Sequence, residues 1–269
     1  MAVLTIQYAS AALGRGTTFR VYLPTDGLMG QAPEPPYRTV YLLPGYSLDA
    51  AALSDYLPLR RECELKGLAI VVVDGCNSFY MDHPDRGENY ASFAGHEIVD
   101  FTRSILPLSA RREDTFIAGI SMGGYGALRL GCLYRTTFSR AAALSPACDA
   151  WELMCANPAG GFGKEAFPNI FGTKEAYYAG DTNLEKLYAE TPKEELPTLF
   201  IACGTDDILV AGAAERFVKT LEKNGVPHLC IWGEGSHEYA YWERQMDPVF
   251  SFLAGIEPRT KNELIWRTE

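Results

Sequence analysis

Ser121 sits in the pattern Gly119, Ile120, Ser121, Met122, Gly123, and the chain later supplies Asp206 and Asp207 and then His237. A serine hydroxyl is a weak nucleophile until an adjacent imidazole takes its proton, and the imidazole needs a carboxylate to fix its tautomer. Serine, aspartate and histidine in that order are the parts of a covalent acyl-transfer device. The glycines have a steric meaning. In a GxSxG turn from strand to helix, a Cβ two places before or after the serine would collide with its neighbours, and the tight turn lifts the hydroxyl clear. The alternative reading is an ordinary glycine-rich turn, so the elements around it decide.

Four histidines are present. His83 falls in a polar loop before Pro84, His96 inside a helical pattern, and His228 at the start of a strand after Pro227. His237 alone follows a final strand in a glycine-containing loop, where it would project over the same sheet edge as Ser121. For the acid, Asp206 and Asp207 both follow the strand 198–203, and spacing does not separate them. Either would serve equally as a turn residue or helix N-cap. The negative oxygen that develops during acyl transfer needs two donors. One expected donor is the backbone N–H of Met122, directly after the serine. The other is the N–H of Tyr46, after the turn at Gly45.

The elements that would carry these residues are legible as runs. Thr115 to Ala118, Thr39 to Leu43 (TVYLL), Leu68 to Val73 (LAIVVV), Ala141 to Leu144, Thr198 to Cys203 and His228 to Trp232 are short apolar runs, as expected of strands buried on both faces. Helical patterns alternate with them over 50–65, 93–105, 211–223 and up to about Leu253. Val3 to Tyr8 and Thr17 to Leu23 alternate around a Gly-Arg-Gly turn, which predicts an antiparallel hairpin at a sheet edge. The pattern predicts a mostly parallel sheet with helices on both faces, joined by right-handed crossovers.

Between 147 and 196 it degrades into short helices broken by Gly and Pro, with Trp151, Phe162, Phe167, Phe171, Tyr177 and Tyr178 spread through it. This segment is expected either to cover the carboxyl edge of the sheet like a lid or to be an irregular connection. Its aromatic residues would serve equally as a subunit contact, which leaves a homo-oligomer open. The loop 75–93 (GCNSFYMDHPDRGENYASF) leaves a strand's carboxyl end and is long enough to line a site.

A length of 269 residues suits one α/β domain over 1–269. The net charge of -10 argues against nucleic acid or an anionic membrane as partner. No apolar run approaches the roughly 20 residues of a membrane span, and MAVLTIQYAS lacks the basic start of a secretory signal. The seven cysteines are odd in number, scattered and without a CxxC pair, so they read as reduced thiols of a cytoplasmic protein and not as a metal site. Neither metal nor cofactor is expected.

LLPGYS, CNSFY, GISMGGYGAL, GTDDIL and GSHEYAYW together resemble the putative-esterase family of α/β-hydrolases, with its tributyrin esterases, S-formylglutathione hydrolases, mycolyltransferases and feruloyl or acetylxylan esterases. The resemblance covers nearly the whole chain. It implies the α/β-hydrolase fold, Ser121 as nucleophile and His237 as base. It also implies Asp207 rather than Asp206 as acid, since the family's acid precedes an apolar pair, which in this chain is Ile208 and Leu209. Tyr46 and Met122 match the oxyanion donors, and Pro44 departs from the histidine that many relatives carry before that glycine. Tyr125 resembles the bacterial tributyrin-esterase branch, where formylglutathione hydrolases typically have histidine.

The expectation is a metal-free serine carboxylesterase acting on small acyl esters through an acyl-enzyme. Its rivals are a feruloyl or acetylxylan esterase using Phe79, Tyr80, Tyr90 and Trp151 to stack on a ring, an S-formylglutathione hydrolase, an acyltransferase, and a catalytically silent binding module on the same fold.

Overall fold

The structure is a computed structural model that describes residues 1–26, 32–156 and 166–257. Eight strands build the main sheet: β1 (Ala2–Ser10), β2 (Arg15–Leu23), β3 (Thr39–Leu43), β4 (Ala69–Val72), β5 (Thr115–Ile120), β6 (Arg140–Leu144), β7 (Thr198–Gly204) and β8 (His228–Gly233). Their order across the sheet is β1-β2-β4-β3-β5-β6-β7-β8. From β4 to β8 every neighbouring pair is parallel. β1 and β2 form the expected antiparallel hairpin, and β2 joins the sheet antiparallel to β4.

The continuous apolar runs are explained by the two cores. Val40 and Leu42 of β3 pack on one face with Leu53, Leu59, Phe250 and Leu253, from the helices Ala50–Tyr56, Leu59–Lys66 and Tyr239–Ala254. Tyr41 and Leu43 point to the opposite face and pack with Ile98, Leu128, Phe217 and Leu221. These belong to the helices Ile98–Ile105, Met122–Leu133 and Ala211–Lys223. Successive strand residues therefore enter different cores, and neither face can be polar. Each such Val, Leu, Ile or Phe contributes about 1.5–3 kcal/mol by leaving water.

Two helical runs differ from expectation. The run 50–65 is two helices, separated at Leu57, whose backbone is extended (φ -106°, ψ 147°). Pro58 causes this, because its ring excludes the helical conformation from the residue before it. The run 93–105 begins earlier, at Tyr90, and passes through a π turn at Phe93–Glu97.

The segment 147–196 contributes the helices Ala150–Ala156, Ala166–Phe171, Lys174–Ala179 and Leu184–Glu190. Of its described aromatic side chains, Phe171 and Tyr177 are buried, and Trp151 and Tyr178 are partly buried. Tyr177 is 1% exposed and Phe171 7%, with their rings 5.1 Å apart edge to face. Phe162 and the side chain of Phe167 lie outside the described residues.

Candidate active site

The serine turn is assembled by glycines that leave room for backbone. A Cβ on Gly119 would come 2.0 Å from the Gly123 carbonyl oxygen, and one on Gly123 would come 2.0 Å from the Leu43 carbonyl oxygen. Ser121 holds φ 56° and ψ -115°, a conformation costing about 1–3 kcal/mol that persists only where neighbours enforce it. They do so here from both sides. The Ser121 N–H donates to Leu144 of β6 at 2.9 Å, extending the strand ladder, while its carbonyl accepts from Tyr125 N–H at 3.0 Å to begin the helix Met122–Leu133.

The loops after β7 and β8 are joined to each other. Thr205 N–H donates to the Gly233 carbonyl at 2.8 Å and Asp206 N–H to the Gly235 carbonyl at 3.0 Å. The approach is close enough that a Cβ on Gly204 would lie 2.1 Å from the Gly235 oxygen. This junction carries Asp207 and His237 to one place. His237 Nδ1 is 2.8 Å from Asp207 Oδ2, and His237 Nε2 is 2.9 Å from Ser121 Oγ. A carboxylate only accepts, so the Nδ1 facing it carries the proton and Nε2 presents a lone pair to the serine hydroxyl.

Asp207 is 1% exposed, and its other oxygen accepts from the N–H groups of Leu209 at 3.2 Å and Val210 at 3.3 Å. A buried carboxylate needs such partners. Asp206 is exposed and is not brought to the histidine. The remaining three histidines sit elsewhere: His228 Nδ1 is 2.8 Å from the Val226 carbonyl, His96 pairs with Asp100 on the helix surface, and His83 lies in the two-residue strand Asp82–His83.

Met122 is the first residue of its helix, so its N–H has no acceptor within that helix. Its side chain is 1% exposed. Gly45, just before Tyr46, lies against the serine: a Cβ there would be 3.4 Å from Ser121 Cβ.

A cleft of about 460 Å³ opens above Ser121 and His237. Tyr46, Leu48, Leu153, Leu209, Tyr239 and Trp242 line it, and Glu238 is the one acidic or basic side chain among its described lining residues, apart from His237 itself. Sequence reasoning missed Trp242. Its ring meets His237 edge to face at 5.1 Å, and its indole N–H donates to Ser145 Oγ at 3.1 Å. The available signal was its place shortly beyond His237 in SHEYAYW, which becomes informative only once the helix is docked.

Phe79, Tyr80 and Tyr90, which the rival feruloyl or acetylxylan reading would use to stack on a ring, are 1%, 0% and 4% exposed and belong to the core. Trp151 is half-buried, its ring 6.0 Å from Tyr177, and does not line the cleft. Among the described residues no helix is long and apolar enough to cross a membrane, and no cluster of three or more His, Cys, Asp or Glu could hold a metal.

Comparison with known proteins gives a consistent picture. Residues 10–253 match the model of the "Putative esterase" family. An acetyl esterase of Caldicellulosiruptor saccharolyticus is 31% identical over 274 residues, covering 95% of this chain and 99% of that protein. Among solved structures, the serine hydrolase FphF of Staphylococcus aureus superposes with a TM-score of 0.82 at 27% identity, covering 94% of this chain and 98% of that one. The S-formylglutathione hydrolase FrmB of the same organism superposes at 0.79 with 30% identity and the same coverage. Agreement over that much of the chain, in sequence and in fold, makes this protein a carboxylic-ester hydrolase that belongs to the "Putative esterase" family of α/β-hydrolases.

Proposed function

We infer that this esterase hydrolyses short-chain acyl esters through a Ser121-His237-Asp207 triad and an acyl-enzyme. The observation that carries the reading is the pair of hydrogen bonds at 2.9 and 2.8 Å linking Ser121, His237 and Asp207 in line. In the first half-reaction Ser121 Oγ attacks the ester carbonyl carbon while its proton passes to His237 Nε2. Asp207 stabilises the imidazolium and holds its orientation. The carbonyl oxygen becomes negative in the tetrahedral intermediate and is received by the Met122 and Tyr46 N–H groups. Collapse of the intermediate breaks the ester C–O bond, and the alkoxide leaves with the proton from Nε2. Water then gives a proton to the same nitrogen as it attacks the acyl-enzyme. The carboxylic acid departs and Ser121 recovers its hydrogen.

Similarity to an acetyl esterase supports a short acyl group. The lining supports an uncharged ester over an anionic thioester, since Glu238 would repel a carboxylate-bearing leaving group and no Lys or Arg stands among the described lining residues to attract one. The reading includes one domain over 1–269, working in the cytoplasm, with the segment 147–196 covering the cleft through Leu153.

The test is Ser121→Ala assayed with p-nitrophenyl acetate, beside a wild-type panel of tributyrin, acetylated xylan, methyl ferulate and S-formylglutathione. Loss of turnover with an unchanged fold, and a preference for the acetate and tributyrin, are expected. Retained turnover would remove the serine from the mechanism, and a preference for S-formylglutathione or ferulate would replace the substrate class.

A further inference from the structure

The backbone between β3 and the helix Ala50–Tyr56 passes against Ser121 at Gly45, where a Cβ would lie 3.4 Å from Ser121 Cβ, and two side chains from the loop after β4 grip it on either side of the Gly45–Tyr46 peptide. On one side the Tyr80 hydroxyl donates to the Pro44 carbonyl at 2.9 Å. On the other, Asn77 Oδ1 accepts the Ser47 N–H at 2.6 Å. Ser47, Asn77 and Tyr80 have φ values of 66°, 57° and 55°. Residues other than glycine hold that left-handed conformation only where their surroundings impose it, and asparagine tolerates it best.

Tyr80 is itself anchored. Its side chain is fully buried and occupies space that a Cβ on Gly126 would invade, coming 2.3 Å from the ring. Its carbonyl accepts from Arg129 Nη1 at 3.1 Å, and Arg129 Nη2 contacts both carboxylate oxygens of Asp181 at 2.9 and 3.0 Å. The grip on Pro44 therefore extends from Asp181 through Arg129 and Tyr80. Neither Asn77 nor Tyr80 lines the cleft.

We propose that Asn77 and Tyr80 are positioning residues for catalysis, which aim the Tyr46 N–H at the developing oxyanion by holding the peptides on either side of it. The value of such a donor lies in its being aimed before the reaction begins, and an error of about 1 Å can cost on the order of 100-fold in rate. The positioning role rests on the proposed parts that Ser121 and Tyr46 play in acyl transfer.

Three variants test it: Asn77→Gly, which removes the acceptor but tolerates φ above zero; Asn77→Asp, which keeps an acceptor oxygen at the same place; and Tyr80→Phe, which removes only the hydroxyl. With p-nitrophenyl acetate, Asn77→Gly and Tyr80→Phe should each lower kcat by about 10–100-fold with KM within about twofold. Both should weaken inhibition by a boronic acid, whose tetrahedral adduct places an oxygen where the oxyanion forms, by a comparable factor. Asn77→Asp should recover kcat to within about threefold. Wild-type kcat in both Asn77→Gly and Tyr80→Phe, or an Asn77→Asp as slow as Asn77→Gly, would overturn the positioning role. Ser121→Ala separates the two claims: an inactive Ser121→Ala beside fully active Asn77→Gly and Tyr80→Phe removes only this proposal, whereas an active Ser121→Ala removes the reading on which it rests.

Discussion

His237 reaches Asp207 and not its neighbour Asp206: Nδ1 is 2.8 Å from Asp207 Oδ2, while Asp206 remains exposed beside the junction its own backbone makes with Gly235. Asp207→Asn should therefore lower kcat by about 10³–10⁴-fold with little change in KM, because the amide can leave the imidazole in the wrong tautomer. Asp206→Asn should stay within about threefold of wild type. Steady-state kinetics on p-nitrophenyl acetate check both, and the opposite ranking would reassign the acid.

Gly123 has a Cβ position 2.0 Å from the Leu43 carbonyl oxygen and 2.6 Å from that of Pro44, so both obstacles are backbone and no rotamer change relieves them. Gly123→Ala should destabilise the protein by about 2–4 kcal/mol and reduce activity at least about 100-fold by shifting the serine turn. Gly212 is the control. Its Cβ position meets only the tip of Arg216 at 3.9 Å, and Gly212→Ala should be neutral or stabilise by about 0.5–1 kcal/mol. Denaturant unfolding with parallel assays distinguishes them.

Leu153 is 8% exposed and lines the cleft from the helix Ala150–Ala156, sharing that space with Leu48 from the loop after β3. Leu153→Ala removes apolar bulk from the cleft wall. The ratio of kcat/KM for p-nitrophenyl hexanoate over acetate should rise by about 10–200-fold, the range expected of one methylene-sized change in a hydrophobic pocket. An unchanged ratio would mean that the acyl chain does not run past Leu153.

Glu62, on the helix Leu59–Lys66, is fully buried and feels the charges of the ion pair that Lys66 Nζ makes with Asp247 at 2.6 Å. Burial pushes its carboxyl above the ordinary glutamate range, and the hydrogen bond and charge of Arg61 counteract this only in part. A folded-state carboxyl that holds its proton more tightly than the unfolded chain loses stability as pH rises from the ordinary glutamate value through the raised one. Glu62→Gln should flatten that decline. Chemical denaturation across the mildly acidic range measures the slope in both proteins, and equal slopes would show that Glu62 does not titrate differently on folding.

The sequence by itself determined the fold class and the sterics of the serine turn. Apolar runs such as TVYLL and LAIVVV can be satisfied only by a strand with a core on each face, and helical runs between them require parallel pairing. GISMG between one such run and a helix marks a turn whose sterics exclude larger residues, and the open space at Gly119 and Gly123 is taken by backbone as that pattern demands. These features are local, so residue types and spacing carry them.

What tertiary structure decided lies between segments far apart in the chain. Asp206 and Asp207 share one loop and one chemistry, and they differ in exposure because Gly204 and Gly235 let the β7 and β8 loops touch backbone to backbone. Tyr80 reads as a loop aromatic available to a ligand, yet it is buried because Gly126, far along the chain, leaves room for its ring. The walls of the cleft come from the loops after β3, β7 and β8, the serine turn, the helix Ala150–Ala156 and the last helix. No periodicity within one segment encodes the direction in which its loop side chains point. That direction is set by which other segment fills the space beside them.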